Sequence, residues 1–510
     1  MLYQRLRNAG RFFVVVGLIF ISLSSQNAAS ATSVQQVEYA TRLDNFLLKQ
    51  MDTYKIPGLA VAIVRNGEVE YLNGYGVANP DGDPVTPDTP FLLASVSKSF
   101  TALAIMQLVE EGKINLNDPV QKYLPWFNVK GEGESEITVA HLMYQTSGFS
   151  EYDGGQMNLR PNNPDELETA IRDLDRNRLL FQPGEGWEYS NINYSLLGFL
   201  IQEVSGQSYE SYIEQNIFTP LEMHNSHTSL ESARANNAAR GYKFYFGTPL
   251  ALDMNMPYTT AILPTAGLWS SAADMSRYMI AHLNEEAEVV LSAEGMKQVH
   301  VPGVEIEPGY NYAMGWFHAP NVLDPEFLQT LNTNLDPSDD LQVLWHEGDG
   351  PGYKAVVLML PGQEYGVVLL MNTNDYTITS VYKDFAWDVT LVANGGDAFN
   401  FKPSGSFAIR NARWLAGGLI LLLLGGVAWT IRQWKQGGSK GRGWGKWFVI
   451  LPNLILLAFI YLRFLPNNSA SLRILLGYSP DIGILVILIT ILSTAWMIVS
   501  ARMLTKAQSK

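Results

Sequence analysis

Apolar residues are distributed unevenly along this 510-residue chain, and this constrains its fold more than any single motif. Three long apolar runs lie near the C-terminal end, at about 414–431, 447–465 and 482–499. Each is close to the roughly 20 residues that a helix needs to cross a lipid bilayer, and tryptophans stand at their edges. We therefore expect residues 406–510 to form a membrane region with three transmembrane helices, which makes the lipid bilayer a partner of the protein.

The N-terminus has the three parts of a secretory signal. Arg5, Arg7 and Arg11 come first, an apolar stretch follows, and the small residues at 29–31 fit a cleavage site. We predict a signal peptide over residues 1–31, with an uncleaved anchor helix as the alternative. Both interpretations place the chain from residue 32 onward outside the cytoplasm.

Basic residues give the membrane region an orientation. The segment between the first two apolar runs, 432–446, and the tail, 500–510, contain lysine and arginine without an acidic residue. Such segments stay in the cytoplasm under the positive-inside rule. Residue 413 then lies outside, in agreement with the export signal. We predict a multi-pass membrane protein of bacterial type whose domain 32–405 is extracytoplasmic.

Charge and cysteine content exclude several kinds of site. The net charge of -14 and the pI near 5.0 argue against a nucleic-acid partner, which needs a basic surface. Because the chain has no cysteine, disulfides, a thiolate nucleophile and a thiolate zinc site are excluded. His346-Glu347 begins like the zinc motif His-Glu-x-x-His, but Gly350 stands where the second histidine would be. We expect neither a metal nor a cofactor.

Strand patterns are concentrated at the two ends of the outer domain. The runs 59–64 and 68–72 flank Asn66-Gly67, and an Asn-Gly pair between two such runs is a strong hairpin signal. The runs 355–360 and 366–371 predict a second hairpin near the other end. Both ends should therefore contribute to one antiparallel sheet.

Helical periodicity dominates the middle of the outer domain, at 95–111, 194–204 and 271–282. Ser271 is the expected N-cap of the last of these helices. Strands from the ends and a helical insertion from the middle predict an α+β fold. No Gly-x-Ser-x-Gly elbow occurs, which argues against an α/β-hydrolase.

A serine and a lysine one helical turn apart are the first candidates for chemistry. Ser95 and Lys98 would share one face of an apolar helix, and a serine hydroxyl needs a neighbouring base. A lysine whose pKa is lowered by apolar surroundings can be that base. Ser-x-x-Lys alone is weak, since about two copies are expected by chance and a second occurs at Ser380–Lys383. A helix-start serine with a surface lysine is the structural alternative.

Two further motifs are candidates for the same site. Tyr189 and Asn191 form a Tyr-x-Asn, whose phenol could relay a proton and whose amide could hold a substrate carbonyl. His346 and Gly348 form a His-x-Gly, in which glycine lets a substrate approach the backbone, so that a nearby N–H could complete an oxyanion hole with that of Ser95. A polar loop and a glycine-rich turn are the respective structural alternatives.

The order and spacing of these three motifs resemble those of the serine β-lactamase and penicillin-binding-protein superfamily, specifically its class C β-lactamase-related branch. The resemblance covers about residues 38–395 and includes segments at 138–148, 264–274 and 368–372. It implies a β-lactamase/transpeptidase-like fold. It also implies acyl transfer through a covalent intermediate.

The resemblance assigns a role to each candidate residue. Ser95 would carry the acyl group, and Lys98 and Tyr189 would handle its proton. The remaining residues would bind the substrate: Asn191 would orient it, His346 would stand where β-lactamases have lysine, and Asp349, after Gly348, would offer the second oxyanion N–H.

The implied function is a serine hydrolase whose partner is a small peptide, amide or ester, a cell-wall-derived D-alanyl-D-alanine peptide among them. A penicillin-binding sensor with slow turnover, a true β-lactamase and a scaffold with a vestigial pocket are the alternatives. The sequence departs from the family pattern at three positions, which counts against β-lactamase activity. His346 replaces lysine, Glu347 replaces threonine or serine, and Gln145 stands where relatives often have histidine. We expect the charge of Glu347 to repel a substrate carboxylate.

Overall fold

The computed structural model describes residues 38–129, 136–252, 259–284, 288–320, 342–375, 379–398, 411–436, 444–464 and 472–508. The predicted signal peptide and residues 437–443 of the basic linker fall outside these ranges. Both therefore stay predictions, as does the boundary between the two regions at residue 405.

An antiparallel sheet of eight strands forms the centre of the outer domain. The strands of the chain are β1 (Gly58–Arg65), β2 (Glu68–Gly76), β3 (Phe91–Leu92), β4 (Tyr242–Tyr245), β5 (Thr248–Ala251), β6 (Trp269–Ser270), β7 (Val304–Glu307), β8 (Tyr310–Tyr312), β9 (Phe317–Pro320), β10 (Gln342–Gly350), β11 (Tyr353–Leu360) and β12 (Tyr365–Met371). The order in the large sheet is β2-β1-β12-β11-β10-β9-β8-β7.

Both predicted hairpins are present. β1 and β2 meet at Asn66 and Gly67, whose positive φ angles of 51° and 72° are those of the tight turn that an Asn-Gly pair favours. β11 and β12 form the second hairpin, and β12 pairs with β1, with Leu59 opposite Met371. Strands from both ends of the outer domain thus pair in one sheet, which confirms the predicted α+β arrangement.

Helices cover both faces of the sheet and supply the insertion between β2 and β7. They are α1 (38–54), α2 (Ser97–Glu110), α3 (Val139–Met143), α4 (Glu151–Gln156), α5 (Glu166–Arg172), α6 (Asn191–Ser205), α7 (Tyr209–Ile213), α8 (Leu230–Ala235), α9 (Leu263–Ala266), α10 (Ala272–Leu283), α11 (Ala293–His300) and α12 (Thr379–Ala393). Ser271 caps α10 by accepting a hydrogen bond from the Asp274 N–H, as the sequence predicts.

The sheet separates two apolar cores. Alternate residues of β11 face opposite sides, so that Val357 lies in the core beneath the helical insertion and Val356 in the core beneath α1 and α12. The helix α2, fully buried over most of its length, belongs to the first of these cores. The site residues at its start therefore stand on a rigid support.

The described part of the C-terminal region contains four helices, α13 (Ala412–Lys435), α14 (Trp444–Phe464), α15 (Leu472–Tyr478) and α16 (Pro480–Gln508). Two segments, Ala412–Gln433 and Pro480–Arg502, are long and apolar enough to cross a membrane. The apolar part of α14, Ile450–Leu462, is shorter. By length and composition, two of the three expected spans are therefore found.

The two long helices α13 and α16 run in the same direction. Arg413 near the start of α13 pairs with Asp481 near the start of α16, at 2.5 Å. Further along both helices, the Trp496 indole donates a hydrogen bond to the Thr430 hydroxyl at 2.9 Å. The end of α13 and the start of α16 therefore lie at opposite ends of this helix pair.

Candidate active site

Ser95 lies on a tight turn directly before α2. The turn is a 3-10 helix, Ala94–Val96, so Ser95 precedes the α-helix that the sequence predicts it to open. Across 91–100, Ser95 is partly exposed and all its neighbours are buried. Ala94 has a φ of 45°, in the left-handed region that residues with a side chain rarely adopt, and such backbone strain is typical of functional turns.

The Lys98 amine is surrounded by three acceptors. Its Nζ lies 3.1 Å from the Ser95 Oγ, 2.8 Å from the Asn191 Oδ1 and 3.0 Å from the Thr265 carbonyl oxygen. The side chain has no exposed surface. An ammonium group has three protons and would use all three contacts as donor.

A neutral Lys98 amine fits the same contacts in a more useful way. The Asn191 Oδ1 and the Thr265 carbonyl can only accept, so they take its two N–H groups and leave the lone pair directed at the Ser95 hydroxyl. Burial lowers the pKa of Lys98 well below its ordinary value, which favours this neutral form. The geometry therefore suits Lys98 as the base for Ser95.

Tyr189 lies beside Lys98, with its ring centroid 4.8 Å from the Lys98 Nζ. Burial raises the pKa of Tyr189 well above its ordinary value, and nearby Tyr312 raises it further. The Ser95 side chain is close enough to act on the pKa of the Tyr189 phenol, which it lowers by less. Tyr189 is therefore a neutral phenol at neutral pH, able to donate or relay a proton but not to start as a tyrosinate base.

Gln145 holds the loop that carries Tyr189, a role the sequence did not indicate. Its backbone carbonyl accepts from the Glu188 N–H at 3.0 Å, and its Oε1 accepts from the Ser190 N–H at 3.0 Å and from the Asn193 amide. Gln145 is fully buried and has a φ of 62°. The departure noted in the sequence is thus a positioning residue, visible only once the loop contacts are known.

Asn191 lies in the first turn of α6, which begins three residues earlier than predicted. Its carbonyl oxygen accepts from Lys98, so the structure engages that end of the amide with the base. The amide nitrogen is the end that could still donate to a substrate carbonyl.

His346 is buried in β10 and uncharged. Its Nδ1 lies 2.8 Å from the Glu347 carbonyl oxygen, which can only accept, so Nδ1 carries the proton. Burial, with a contribution from Lys98, lowers the pKa of His346 to about 3. Its Nε2 is then a bare acceptor, and it has no hydrogen-bond partner within the ranges the structure describes.

Gly348 brings the edge of β10 against the Ser95 turn. A Cβ at Gly348 would collide with the Leu93 carbonyl oxygen, so no other residue fits without displacing the turn. β9 pairs with β10 only as far as Trp345, and the 3-10 helix takes the place of a neighbouring strand beside the rest. The backbone of Asp349 is therefore next to the Ser95 turn, where the predicted oxyanion hole would lie.

The side chains of Glu347 and Asp349 lie on the other face of the sheet from His346 and Gly348. The fully buried Lys354 Nζ lies 2.5 Å from the Glu347 Oε2 and 3.0 Å from the Asp349 Oδ1. The charge of Glu347 is thus paired, which weakens the repulsion of a substrate carboxylate that the sequence suggested.

The structure brings Ser95, Lys98, Tyr189, Asn191 and His346 into one group at the junction of the sheet and the helical insertion. The second Ser-x-x-Lys lies within α12, which packs on the opposite face of the sheet. The group offers a partly exposed serine hydroxyl, a neutral amine and a neutral phenol, and a serine next to a base is what acyl transfer to serine needs.

The same chain segment matches proteins of known class. The family model described as Beta-lactamase matches residues 43–388. Among curated proteins, Protein flp of Staphylococcus aureus (strain N315) is 32% identical over 340 residues, which cover 65% of this chain and 63% of the relative. A Beta-lactamase of Yersinia enterocolitica is 26% identical over 384 residues, which cover 71% of this chain and 94% of that protein. The chain thus spans just under two thirds of the length of Protein flp.

Two solved structures share the fold. The octameric penicillin-binding protein homologue from Pyrococcus abyssi has a TM-score of 0.60 and 28% identity, with 74% of this chain and 81% of that chain covered. A class C beta-lactamase has a TM-score of 0.58 and 23% identity, with 70% and 96% covered. The latter likeness is one of fold alone.

Proposed function

This chain belongs to the beta-lactamase family, and from that premise we propose that it is a membrane-anchored serine hydrolase that forms an acyl-enzyme on Ser95. The observation that carries the proposal is the set of acceptors around Lys98. Two obligate acceptors, the Asn191 Oδ1 and the Thr265 carbonyl, orient the amine so that its lone pair meets the Ser95 hydroxyl.

The proposed reaction has two halves. In the first, the Ser95 Oγ attacks a carbonyl carbon while Lys98 takes the hydroxyl proton, and the oxyanion forms beside the N–H groups of Ser95 and Asp349. The bond from the carbonyl carbon to the leaving nitrogen or oxygen then breaks, and the leaving group receives a proton through the Lys98–Tyr189 pair. In the second half, water attacks the acyl carbon, the Ser95 ester bond breaks, and the serine recovers its proton.

The proposed substrate is an ester, amide or peptide. The charge at the site indicates which of these substrates it would prefer. A neutral His346 cannot bind a carboxylate as a lysine would. The bare acceptor at its Nε2 instead suits a substrate group that carries an N–H or O–H. Substrates without a carboxylate beside the reacting carbonyl should be preferred over penicillins, the ligands of the alternative functions, and also over peptides ending in D-alanine.

The proposal also places the catalytic domain outside the membrane, with three spans. α13 and α16 are parallel, so the chain must cross back between them, and the 21 residues of α14 reach about 31 Å as a helix, enough for a bilayer core. The basic composition of 432–446 favours the cytoplasm for the first turn between spans.

The experiment uses the full chain in detergent micelles. Purified protein and a Ser95→Ala variant are incubated with p-nitrophenyl esters and with a fluorescent penicillin. We expect steady ester hydrolysis that is lost in Ser95→Ala, with little lasting penicillin label. Persistent labelling of Ser95 without turnover would favour the slow penicillin-binding sensor, and full activity in Ser95→Ala would overturn the mechanism.

A further inference from the structure

The short helix α15 contacts the active-site strand from the membrane side. The hydroxyl of Tyr478, at its last residue, donates a hydrogen bond to the Asp349 carbonyl oxygen at 2.9 Å. We infer that Tyr478 is a positioning residue, which holds Asp349 so that its N–H faces the oxyanion and thereby makes acyl transfer depend on the membrane region. This inference rests on the proposed function.

Asp349 needs such support because of its sequence surroundings. Gly348 and Gly350 flank it, and glycine leaves the backbone more conformational freedom than any other residue. β9 no longer pairs with β10 at this point, so among the described residues no strand borders this edge of β10 beside Asp349. An N–H that must stabilise an oxyanion has to be held in place before the reaction.

Contacts from within the sheet hold the side chain of Asp349. The Lys354 Nζ lies 3.0 Å and 3.1 Å from its two carboxylate oxygens, and the Asn374 amide donates to Oδ1 at 2.9 Å. Tyr478 adds a contact to the backbone itself. The residue is then fixed by the side chain from within the sheet and by the backbone from the membrane region.

Buried ion pairs and hydrogen bonds connect the start of α16, directly after α15, to the outer domain. Arg413 pairs with Asp375 of the outer domain at 2.6 Å and with Asp481 at 2.5 Å, and both carboxylates are almost fully buried. The Ser479 hydroxyl donates to the Asp375 Oδ1 at 3.1 Å, and the Phe246 N–H donates to the Asp481 Oδ2 at 2.8 Å. Because a buried charge is costly when it loses its partner, this network opposes separation of the two regions.

The test is Tyr478→Phe in the full chain, which removes one hydroxyl group and keeps the ring. Removal of a whole oxyanion donor costs a hundredfold or more in kcat, so the loss of a tether on one donor should lower kcat roughly tenfold. KM for the p-nitrophenyl ester should change less than about twofold, because the tether acts on the transition state. Tyr461→Phe, the same change on an exposed residue of α14, is the matched control and should leave both constants unchanged.

Hydrogen exchange of residues 342–360 supplies a readout that does not need turnover. Faster exchange of this segment in Tyr478→Phe than in Tyr461→Phe, together with the fall in kcat, is the expected result. Equal kcat and equal exchange in the two variants would overturn the inference while hydrolysis dependent on Ser95 still upheld the proposed function. A rise in KM with kcat unchanged would also contradict the inference. Absence of hydrolysis by the unsubstituted chain would overturn the proposed function itself.

Discussion

The proposed role of Lys98 as a base depends on its burial, and this gives the proposed activity a defined pH dependence. Protonation removes the lone pair that faces Ser95, so activity should fall as the pH drops through the pKa of Lys98, which burial lowers from its ordinary value. We expect the acid limb of the kcat/KM profile for an ester substrate to report this group. Lys98→Arg, whose side chain stays protonated, should lose about 10²- to 10⁴-fold in kcat/KM.

His346→Asn is the control for this assignment. The pKa of His346 is lowered to about 3, so this residue stays neutral through the pH range in which most hydrolases are assayed. The acid limb should keep its shape in His346→Asn even if the rate changes. Its disappearance would assign the limb to His346 instead of Lys98.

Gly348 is a second residue whose replacement has a definite consequence. In Gly348→Ala the new Cβ meets the Leu93 carbonyl oxygen, so the Ser95 turn and β10 must move apart. We expect a loss of about 1–3 kcal/mol in the free energy of unfolding and a large fall in kcat. Thermal unfolding and ester turnover measure the two effects. Gly362→Ala, at a turn with open space around its Cβ position, should change neither.

At the scale of single residues, the sequence indicates the groups that carry a recognisable spacing. Ser95 and Lys98 are one helical turn apart, so local geometry alone brings them together. Gln145 and Thr265 reach the site through backbone contacts with residues distant in the chain, which no local pattern records. The pairing of Glu347 with Lys354 across two strands was likewise missed, because it depends on register.

At the scale of elements, α10 and α11 meet through a pair of histidines, of which His282 is buried and His300 partly buried. The His282 Nδ1 and the His300 Nε2 lie 2.9 Å apart. Burial lowers the pKa of His282 well below its ordinary value and that of His300 to about 4. Both are neutral in the folded protein, whereas the unfolded chain binds protons at the ordinary pKa near 6.5.

On acidification the unfolded state therefore binds more protons than the folded state, so the free energy of unfolding should decrease as the pH falls. The stabilisation from the two neutral histidines is complete above the ordinary pKa and is lost as the pH falls from about 6.5 to about 4. For His300 alone this amounts to about 2 kcal/mol between roughly pH 7 and pH 5. Thermal unfolding of the full chain should show a smaller pH dependence in His300→Gln than in His224→Gln, which changes an exposed histidine. Equal dependence in both variants would exclude the pair as its source.

The elements that the sequence predicted are those with a recognisable local signal, such as a turn pair or a helix cap. The β1–β2 hairpin has an Asn-Gly turn, and α10 has a serine cap, so both were found from the sequence. The strands β7, β8 and β9 have three or four residues each and extend one edge of the sheet, and no sequence pattern indicated them. Short edge strands gain their stability from the neighbour they pair with, and the sequence does not name that neighbour.

At the scale of the whole molecule, hydropathy and the basic segments predict three crossings, and the structure adds how the two long C-terminal helices lie relative to each other. Hydropathy locates apolar runs one at a time, and by that measure α14 falls short of its neighbours. The contacts of Arg413 with Asp481 and of Thr430 with Trp496 relate two helices to each other and fix them as parallel. A bundle with parallel α13 and α16 needs an odd number of crossings from residue 413 to the tail.

The number of crossings determines on which side of the membrane the C-terminal tail lies. If the outer domain lies outside the membrane, as proposed, three spans place the tail in the cytoplasm, whereas two spans would place it outside. The chain has no cysteine, so single introduced cysteines report accessibility without background. In intact bacterial cells, a membrane-impermeant maleimide should label Leu180→Cys, at a 59% exposed position of the outer domain, and should not label Ser509→Cys in the tail. Ser439→Cys, between α13 and α14, should behave like the tail.

Permeabilised cells supply the control, since all three cysteines should then react with the maleimide. Labelling of Ser509→Cys in intact cells would mean that α14 does not cross. In that case α16 would start from the cytoplasm, Asp481 could not reach Arg413, and the ion pairs that seat the bundle against the outer domain could not form. Because Tyr478 directly precedes α16, its contact with Asp349 requires the same topology. The side of the tail thus tests the anchoring of the protein and the connection of its membrane helices to the active-site strand together.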